Sequence, residues 1–304
     1  MIRDIQDRIL MLKKELDVCI LAHTYEAHEI LEIADFTGDS FALSRRAATV
    51  SQSNILMCGV RFMAETVKLL SPEKRVLLVS PEAGCPMAEQ FTRADVETFK
   101  REHPSAIVVA YVNTTTDLKR ACDYCVTSAS AVKIVSQLPD DREILFIPDC
   151  NLGSYVAKML PSKRLTLWQG GCPLHASVTL DELLAARAAH PNALLLTHPE
   201  CRKEIVDRSD FVGSTSAIMD YARHSDAEAF IIGTETSIVT HLAHELPEKH
   251  FYPLSKRLVC HDMRLTTLPD VLSALMGEGG EEILLDADTL TEARRCIDRM
   301  IELG

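Results

Sequence analysis

What this sequence lacks narrows its chemistry first. No apolar run exceeds seven residues, so no segment is long enough to span a membrane. The first residues, MIRDIQDRILMLKKEL, mix both charge signs at helical spacing and lack the apolar core of a secretory signal. Basic residues are outnumbered, 32 against 44 acidic, and the net charge is −12. Binding to nucleic acid needs clustered Lys and Arg, so none is expected. A small anionic substrate stays open, because helix N-termini bind anions locally. There is no G-x-G-x-x-G and no Walker loop, so no nucleotide cofactor is expected. No low-complexity linker divides the chain.

Cysteine, by contrast, is plentiful. Ten cysteines without a secretory signal point to a reducing cytoplasm, where they are buried, catalytic or metal-bound rather than paired. Three of them keep a fixed step. Cys85, Cys172 and Cys260 are 87 and 88 residues apart, and Gly-Cys-Pro surrounds the first two. Other landmarks keep the same step. Apolar runs end at His23, Tyr111 and His198, and a second polar residue follows two positions later: Tyr25, Asn113 and Glu200. Asp35-Phe36, Asp123-Tyr124 and Asp210-Phe211 come next. Each of these pairs leads to a hydroxyl site, at Ser40, Thr127-Ser128 and Ser214-Thr215. A fixed period means one structural unit used three times.

Within each unit, short β-branched runs alternate with amphipathic helical patterns. Strands are expected near 18–23, 54–58 and 75–79, near 106–111, 143–147 and 164–168, and near 193–197, 228–232 and 250–252. A further short strand is expected before each hydroxyl site, and 258–260 leads to the last cysteine. Helices are expected at Phe62–Leu70, Ser128–Ser136, Thr234–Glu245 and Thr291–Ile301. The fold class is α/β: three αβα domains with small parallel sheets, related by a pseudo-threefold axis around a central cavity. Breaks at Pro81–Gly84 and Gln169–Gly171 give domains 1–84, 85–171 and 172–304, the last carrying extra C-terminal helices.

In parallel α/β units ligands sit beyond the carboxyl ends of the strands. Threefold packing of those ends would line one cavity with His23, Tyr25, Tyr111, Asn113, His198 and Glu200. The hydroxyl sites open helices, and their side chains suit N-caps. His175, three residues after Cys172, falls near the same place, and Glu200 suits acid/base work. Met63 reads as a core residue at the start of a helix facing the cavity. Three cysteines in phase make a trigonal thiolate site for iron–sulfur or zinc. The pair Cys122 and Cys125 reads as packing, as do Cys19, Cys58, Cys201 and Cys296. Cys150 is assigned no chemistry. His28, His103, His190, His224, His244 and His250 read as polar surface residues.

An ordered set of motifs covers residues 15 to 280. ILAHTYEAHEILEIADFTGDS, GVRFMAETVKLL, EAGCPMA, VVAYVNTTTDLKRACDYCVTSASAVKIV, PDCNLG, HPECRKEIVDRSDFVGSTSAI, GTETSI, FYPLS and CHDMRLTTL together resemble the quinolinate synthase A family. The resemblance implies three pseudo-symmetric αβα domains holding a 4Fe-4S cluster on Cys85, Cys172 and Cys260. It implies condensation of iminoaspartate with dihydroxyacetone phosphate to quinolinate in de novo NAD biosynthesis, with loss of phosphate and two waters. An iminoaspartate-producing enzyme is the implied partner. The family's site residues match His23, Tyr25, Ser40, Met63, Tyr111, Asn113, Ser128, His175, His198, Glu200, Ser214 and Thr215. The chain departs from the family pattern at Thr24, where a second aromatic or Asn is usual, and at Glu26, where Gln is usual. It also reads CHDMR where C-x-N-M-K is usual.

Two further readings share the three-cysteine architecture. Reductive dehydroxylases and diphthamide-forming enzymes resemble it and need electrons or S-adenosylmethionine. A non-enzymatic iron–sulfur sensor needs no acid/base residue.

Overall fold

The computed structural model describes residues 2–304. Its strands form three sheets. The first holds Val18–His23 (β1), Phe36–Gly38 (β2), Asn54–Cys58 (β3) and Arg75–Leu78 (β4). The second holds Ile107–Tyr111 (β5), Tyr124–Val126 (β6), Glu143–Ile147 (β7) and Arg164–Leu167 (β8). The third holds Leu194–Thr197 (β9), Phe211–Val212 (β10), Ala229–Gly233 (β11) and His250–Pro253 (β12). Each sheet repeats one spatial order: second strand, first, third, fourth. All these pairings are parallel. The central strands are buried on both faces, which is why they read as unbroken apolar runs instead of alternating ones. The α/β class and the short strands before the hydroxyl sites are as expected. Residues 258–260 are not a strand; they follow β12 as an irregular loop.

The recurring aspartate holds each short second strand in place. Asp35 Oδ2 accepts the Ile20 N–H at 2.8 Å, Asp123 Oδ2 that of Val108 at 2.8 Å, and Asp210 Oδ2 that of Leu195 at 2.7 Å. The backbone N–H of each aspartate returns a bond to the carbonyl of the same strand residue, at 2.8 to 2.9 Å. A cation closes each latch: Lys13 and Lys100 at 3.0 Å, Arg187 at 2.9 Å. These cations also keep the repeat, each 87 residues after the last.

Each site cysteine precedes another repeated device. Thr92, Thr179 and Thr267 start helices Arg93–Glu102, Leu180–Ala189 and Leu268–Met276, each with a capping box to Asp95, Glu182 or Asp270. The first two helices lead into the next sheet. The third has no further sheet to lead into and packs on the first helix, Ile2–Glu15. The chain then adds Glu281–Glu282 (β13) antiparallel to β4 in the first sheet. The last helix, Ala287–Leu303, lies across helix Arg61–Leu70, helix Thr116–Lys119 and β6. It starts earlier than its apolar pattern suggests because Asp286 caps it. Among the described residues no helix is long and apolar enough to cross a membrane.

Asp123→Ala tests the latch. Lys100 and Asp123 are each about one-third exposed, so their ion pair is worth little. The buried Val108 N–H would lose its acceptor, at about 1–3 kcal/mol. Chemical denaturation should place the loss in that range and show a smaller one for Lys100→Met. Equal, negligible losses would remove the latch as a determinant of the fold.

Candidate active site

Loops at the carboxyl ends of strands from all three sheets line one pocket of about 340 Å³. His23, Tyr25 and Ser40 come from the first unit, and Tyr111, Asn113 and Ser128 from the second. His175, His198, Glu200 and Thr215 come from the third. Cys85, Cys172 and Cys260 are on the pocket wall too. These three and Cys150 are half-buried, while the other six cysteines are buried. Cys122 and Cys125 are among the buried ones, and Cys125 Sγ lies 3.3 Å from Cys296 Sγ in the core.

Two expected residues are not on this wall. Met63 sits one residue beyond Phe62, which does reach the pocket, and lines a small adjoining void with Ser40 and Met57. Ser214 uses its hydroxyl as the N-cap of helix Thr215–His224, accepting the Ala217 N–H at 3.3 Å. The next residue, Thr215, is the one that faces the pocket. Of the expected N-caps, only Ser214 is one. Asp39 caps Ser40–Ala47, and Ala131–Ser136 begins after Ser130. This leaves the hydroxyls of Ser40 and Ser128 free of capping.

A chain of hydrogen bonds crosses the pocket floor. Tyr25 Oη lies 2.8 Å from Thr215 Oγ1 and 2.7 Å from Thr234 Oγ1. Thr234 Oγ1 is 3.1 Å from His175 Nε2, and His175 Nδ1 is 2.8 Å from Glu200 Oε2. The Tyr111 hydroxyl donates to Glu200 Oε1 at 2.6 Å. Thr234 was not expected here; it follows β11 just as His198 follows β9, and that strand-end position was the available signal. Two backbone contacts fix tautomers. The Tyr25 N–H donates to His23 Nδ1 at 3.1 Å and the Glu200 N–H to His198 Nδ1 at 3.3 Å. Each ring therefore carries its proton on Nε2. That of His198 is 3.1 Å from Ser128 Oγ. Asn113 Oδ1 is buried without a partner, an acceptor left for a ligand.

Burial sets the charges. It lowers His23 and His198 to about 4, so both rings are neutral near pH 7. Burial, then the Glu200 charge, pushes the Tyr25 and Tyr111 phenols well above their ordinary value. Burial works against the Glu200 carboxylate too. The imidazoles of His198 and His175 and hydrogen bonds from His175 and Tyr111 outweigh it, holding the carboxyl below its usual range. The pocket thus offers neutral imidazole and phenol donors around the ionised Glu200, with Asp39, Asp262 and Arg257 also on its lining.

Behind each cysteine is a carboxylate the sequence did not single out. Asp149 Oδ2 accepts the Cys172 N–H at 2.9 Å while Oδ1 caps helix Cys150–Met159. Glu235 Oε1 lies 3.4 Å from the Cys260 nitrogen and 3.1 Å from Arg264, and Oε2 binds Ser237. Asp262 Oδ1 accepts the Gly84 N–H, next to Cys85, at 3.2 Å. Gly171 is required beside the Asp149–Cys172 contact: its φ is +153°, and a Cβ would come 3.0 Å from Asp149 Oδ2.

Comparison with known proteins agrees across the chain. The family model described as quinolinate synthetase A protein matches residues 7–302. The quinolinate synthase of Clostridium kluyveri is 45% identical over 297 residues, covering 98% of this chain and 97% of the relative. That of Caldicellulosiruptor saccharolyticus is 44% identical over 303 residues, covering 100% and 99%. That of Methanoregula boonei is 44% identical over 299 residues, covering 98% of each.

Two titrations follow from these charges. Imidazole NMR of the protein should show His23 and His198 unchanged down to about pH 5; midpoints near 6.5 would mean that burial does not control them. Glu26 is the second case. Both of its carboxyl oxygens are buried without partners, and burial pushes the group up to about 9 from 4.5. The folded state keeps a proton that the unfolded state loses, so stability falls as pH rises from 4.5 towards 9. Glu26→Gln should stabilise the protein by several kcal/mol at pH 8 (order of magnitude) and by nothing near pH 4. A pH-independent difference between the two proteins would contradict this.

Proposed function

The chain belongs to the quinolinate synthase A family, and we propose that it joins iminoaspartate to dihydroxyacetone phosphate and closes the product to quinolinate for NAD biosynthesis. Phosphate and two waters leave, and no electrons are gained or lost overall. The observation that carries this reading is the hydrogen-bonded chain from Thr215 through Tyr25, Thr234 and His175 to Glu200 and Tyr111, with three cysteines lining the same pocket. Isomerisation and two dehydrations need several proton movements at one bound substrate, and such a chain supplies them.

The cysteines suit a 4Fe-4S cluster better than one zinc ion. Among the described residues, the ligand atoms of Cys172, His175 and Glu200 are the only such trio within 4.8 Å of one another, and the three cysteine sulfurs are more widely spread. A single zinc would draw them to about 3.8 Å. When bound, a cluster on Cys85, Cys172 and Cys260 supplies a Lewis acid through the iron that lacks a protein ligand.

The chain's own residues divide the remaining work. Nε2–H of His23 and of His198 donates to substrate oxygens without adding charge. Glu200, ionised, takes a proton from carbon or nitrogen, and Tyr25 and Tyr111 return protons to departing hydroxyls. Asn113 Oδ1 accepts from the imine or amine nitrogen. Thr215 and Ser40, each in the first turn of its helix, and the Ser128 hydroxyl hold the carboxylates and the phosphate. Asp149, Glu235 and Asp262 keep the cysteine loops in position.

Anaerobically reconstituted protein, given freshly generated iminoaspartate and dihydroxyacetone phosphate, should form quinolinate without added electrons or S-adenosylmethionine. Glu200→Gln should keep its iron and sulfide and lose about 100- to 1,000-fold in kcat. Cys85→Ala should lose iron and sulfide. Full turnover in Glu200→Gln removes its acid/base role. A loaded cluster with no product returns the three-cysteine reductases and the sensor to first place.

A further inference from the structure

The residue after Tyr25 leads to a cluster outside the active site. The Glu26 carbonyl oxygen lies 3.1 Å from His241 Nε2 on helix Ser237–Glu245. A carbonyl only accepts, so Nε2 carries the proton and His241 Nδ1 is a bare lone pair. His241 is 6% exposed, and this Nδ1 has no partner. Burial, first of all, holds its ring neutral near pH 7. His28, which begins the facing helix His28–Leu31, also has a buried Nδ1 without a partner. Its ring centroid is 5.7 Å from that of His241 and 4.5 Å from that of His244, one turn further along the same helix.

Two buried nitrogens without partners are costly for a folded protein. Each lone pair can take a proton or a metal ion. Two imidazoles on one tetrahedral zinc, at about 2.0–2.1 Å, have ring centroids about 5 Å apart, close to the separations seen here. A ring whose other N–H is tied to a backbone carbonyl is the usual setting of a ligating histidine, because the tie fixes tautomer and aim. Glu32 follows His28 by one turn and adds negative charge. Its carboxyl is held low by the Gln6 amide first, then by Arg3, His28 and His244. Nitrogen donors of this kind select zinc, cobalt, nickel or copper over magnesium and calcium.

We propose that His28, His241 and His244 bind one divalent transition-metal ion, with zinc as the test case and water or Glu32 in the fourth position. The nitrogens of the three rings do not all lie within 4.8 Å of one another. His244 is exposed, so its ring can change rotamer on binding. The ion ties helix His28–Leu31 to helix Ser237–Glu245 across the segment that carries Tyr25. Occupancy therefore stiffens the approach to the active site without entering it. All three histidines read as ordinary or went unremarked in sequence, because His28 and His241 are 213 residues apart and no spacing motif joins them.

The test uses protein with its iron–sulfur centre already loaded, so that the cysteines are occupied. Equilibrium dialysis against zinc, with iron, sulfide and zinc counted on the same sample, should show one additional zinc per chain. His28→Gln and His244→Gln should each weaken this zinc at least about 100-fold while leaving iron and sulfide unchanged. Saturating zinc should raise the melting temperature of the parent and not of His28→Gln. No additional zinc in the parent overturns the proposal. So does zinc retained in a His28→Gln, His244→Gln double variant, which would assign it to cysteine or to the surface.

Discussion

A carboxylate that accepts the N–H of a strand fifteen residues behind it is the constraint on which this molecule rests. Asp35, Asp123 and Asp210 each do this, and each is closed by a cation from the helix that leads into its sheet. The strands that follow them have only two or three residues. Ladder bonds alone hold such strands weakly. With the latch, the short strand is fixed in register beside the first strand of its sheet. The hydroxyl site that follows is then delivered to the strand ends, where Ser40, Ser128 and Thr215 meet the pocket.

The pocket inherits its electrostatics from this burial. Histidine rings buried at the strand ends stay neutral, and tyrosines stay protonated. Glu200 is the exception because neighbouring imidazoles and two hydrogen bonds favour its charged form. The result is a set of neutral donors around the Glu200 charge, with residues from all three units in contact. No unit by itself carries the set. Tyr25 of the first unit is bonded to Thr215 and Thr234 of the third, and Tyr111 of the second to Glu200 of the third.

The cysteine loops show where the repeat is imperfect. Asp149 and Glu235 follow the third strand of their own sheets and reach forward to Cys172 and Cys260. The matching place in the first unit holds Val60 and Arg61, and Arg61 is paired with Glu281 of the returning tail. Asp262, from the other end of the chain, supports the Cys85 loop instead. The tail that adds β13 to the first sheet and the loop that supports Cys85 therefore come from one stretch of sequence. The first and last parts of the chain are bound together at the site.

The sequence by itself determined the period, and with it the three sheets, their strand ends and the three cysteines. It could do so because each unit repeats the same local solution: a buried apolar strand, an aspartate in phase, a helix started by a hydroxyl or carboxylate. Most of the pocket was legible for the same reason, since residues at strand ends are placed by local structure. Tertiary structure alone decided which neighbour faces inward, Thr215 over Ser214 and Phe62 over Met63, because that turns on which oxygen caps a helix and which side of a helix the core takes. It also decided the roles of Thr234, Asp149, Glu235 and Asp262, and the meeting of His28 with His241 and His244. These contacts join residues far apart in the chain, and their chemistry arises from burial, which no spacing in the sequence records.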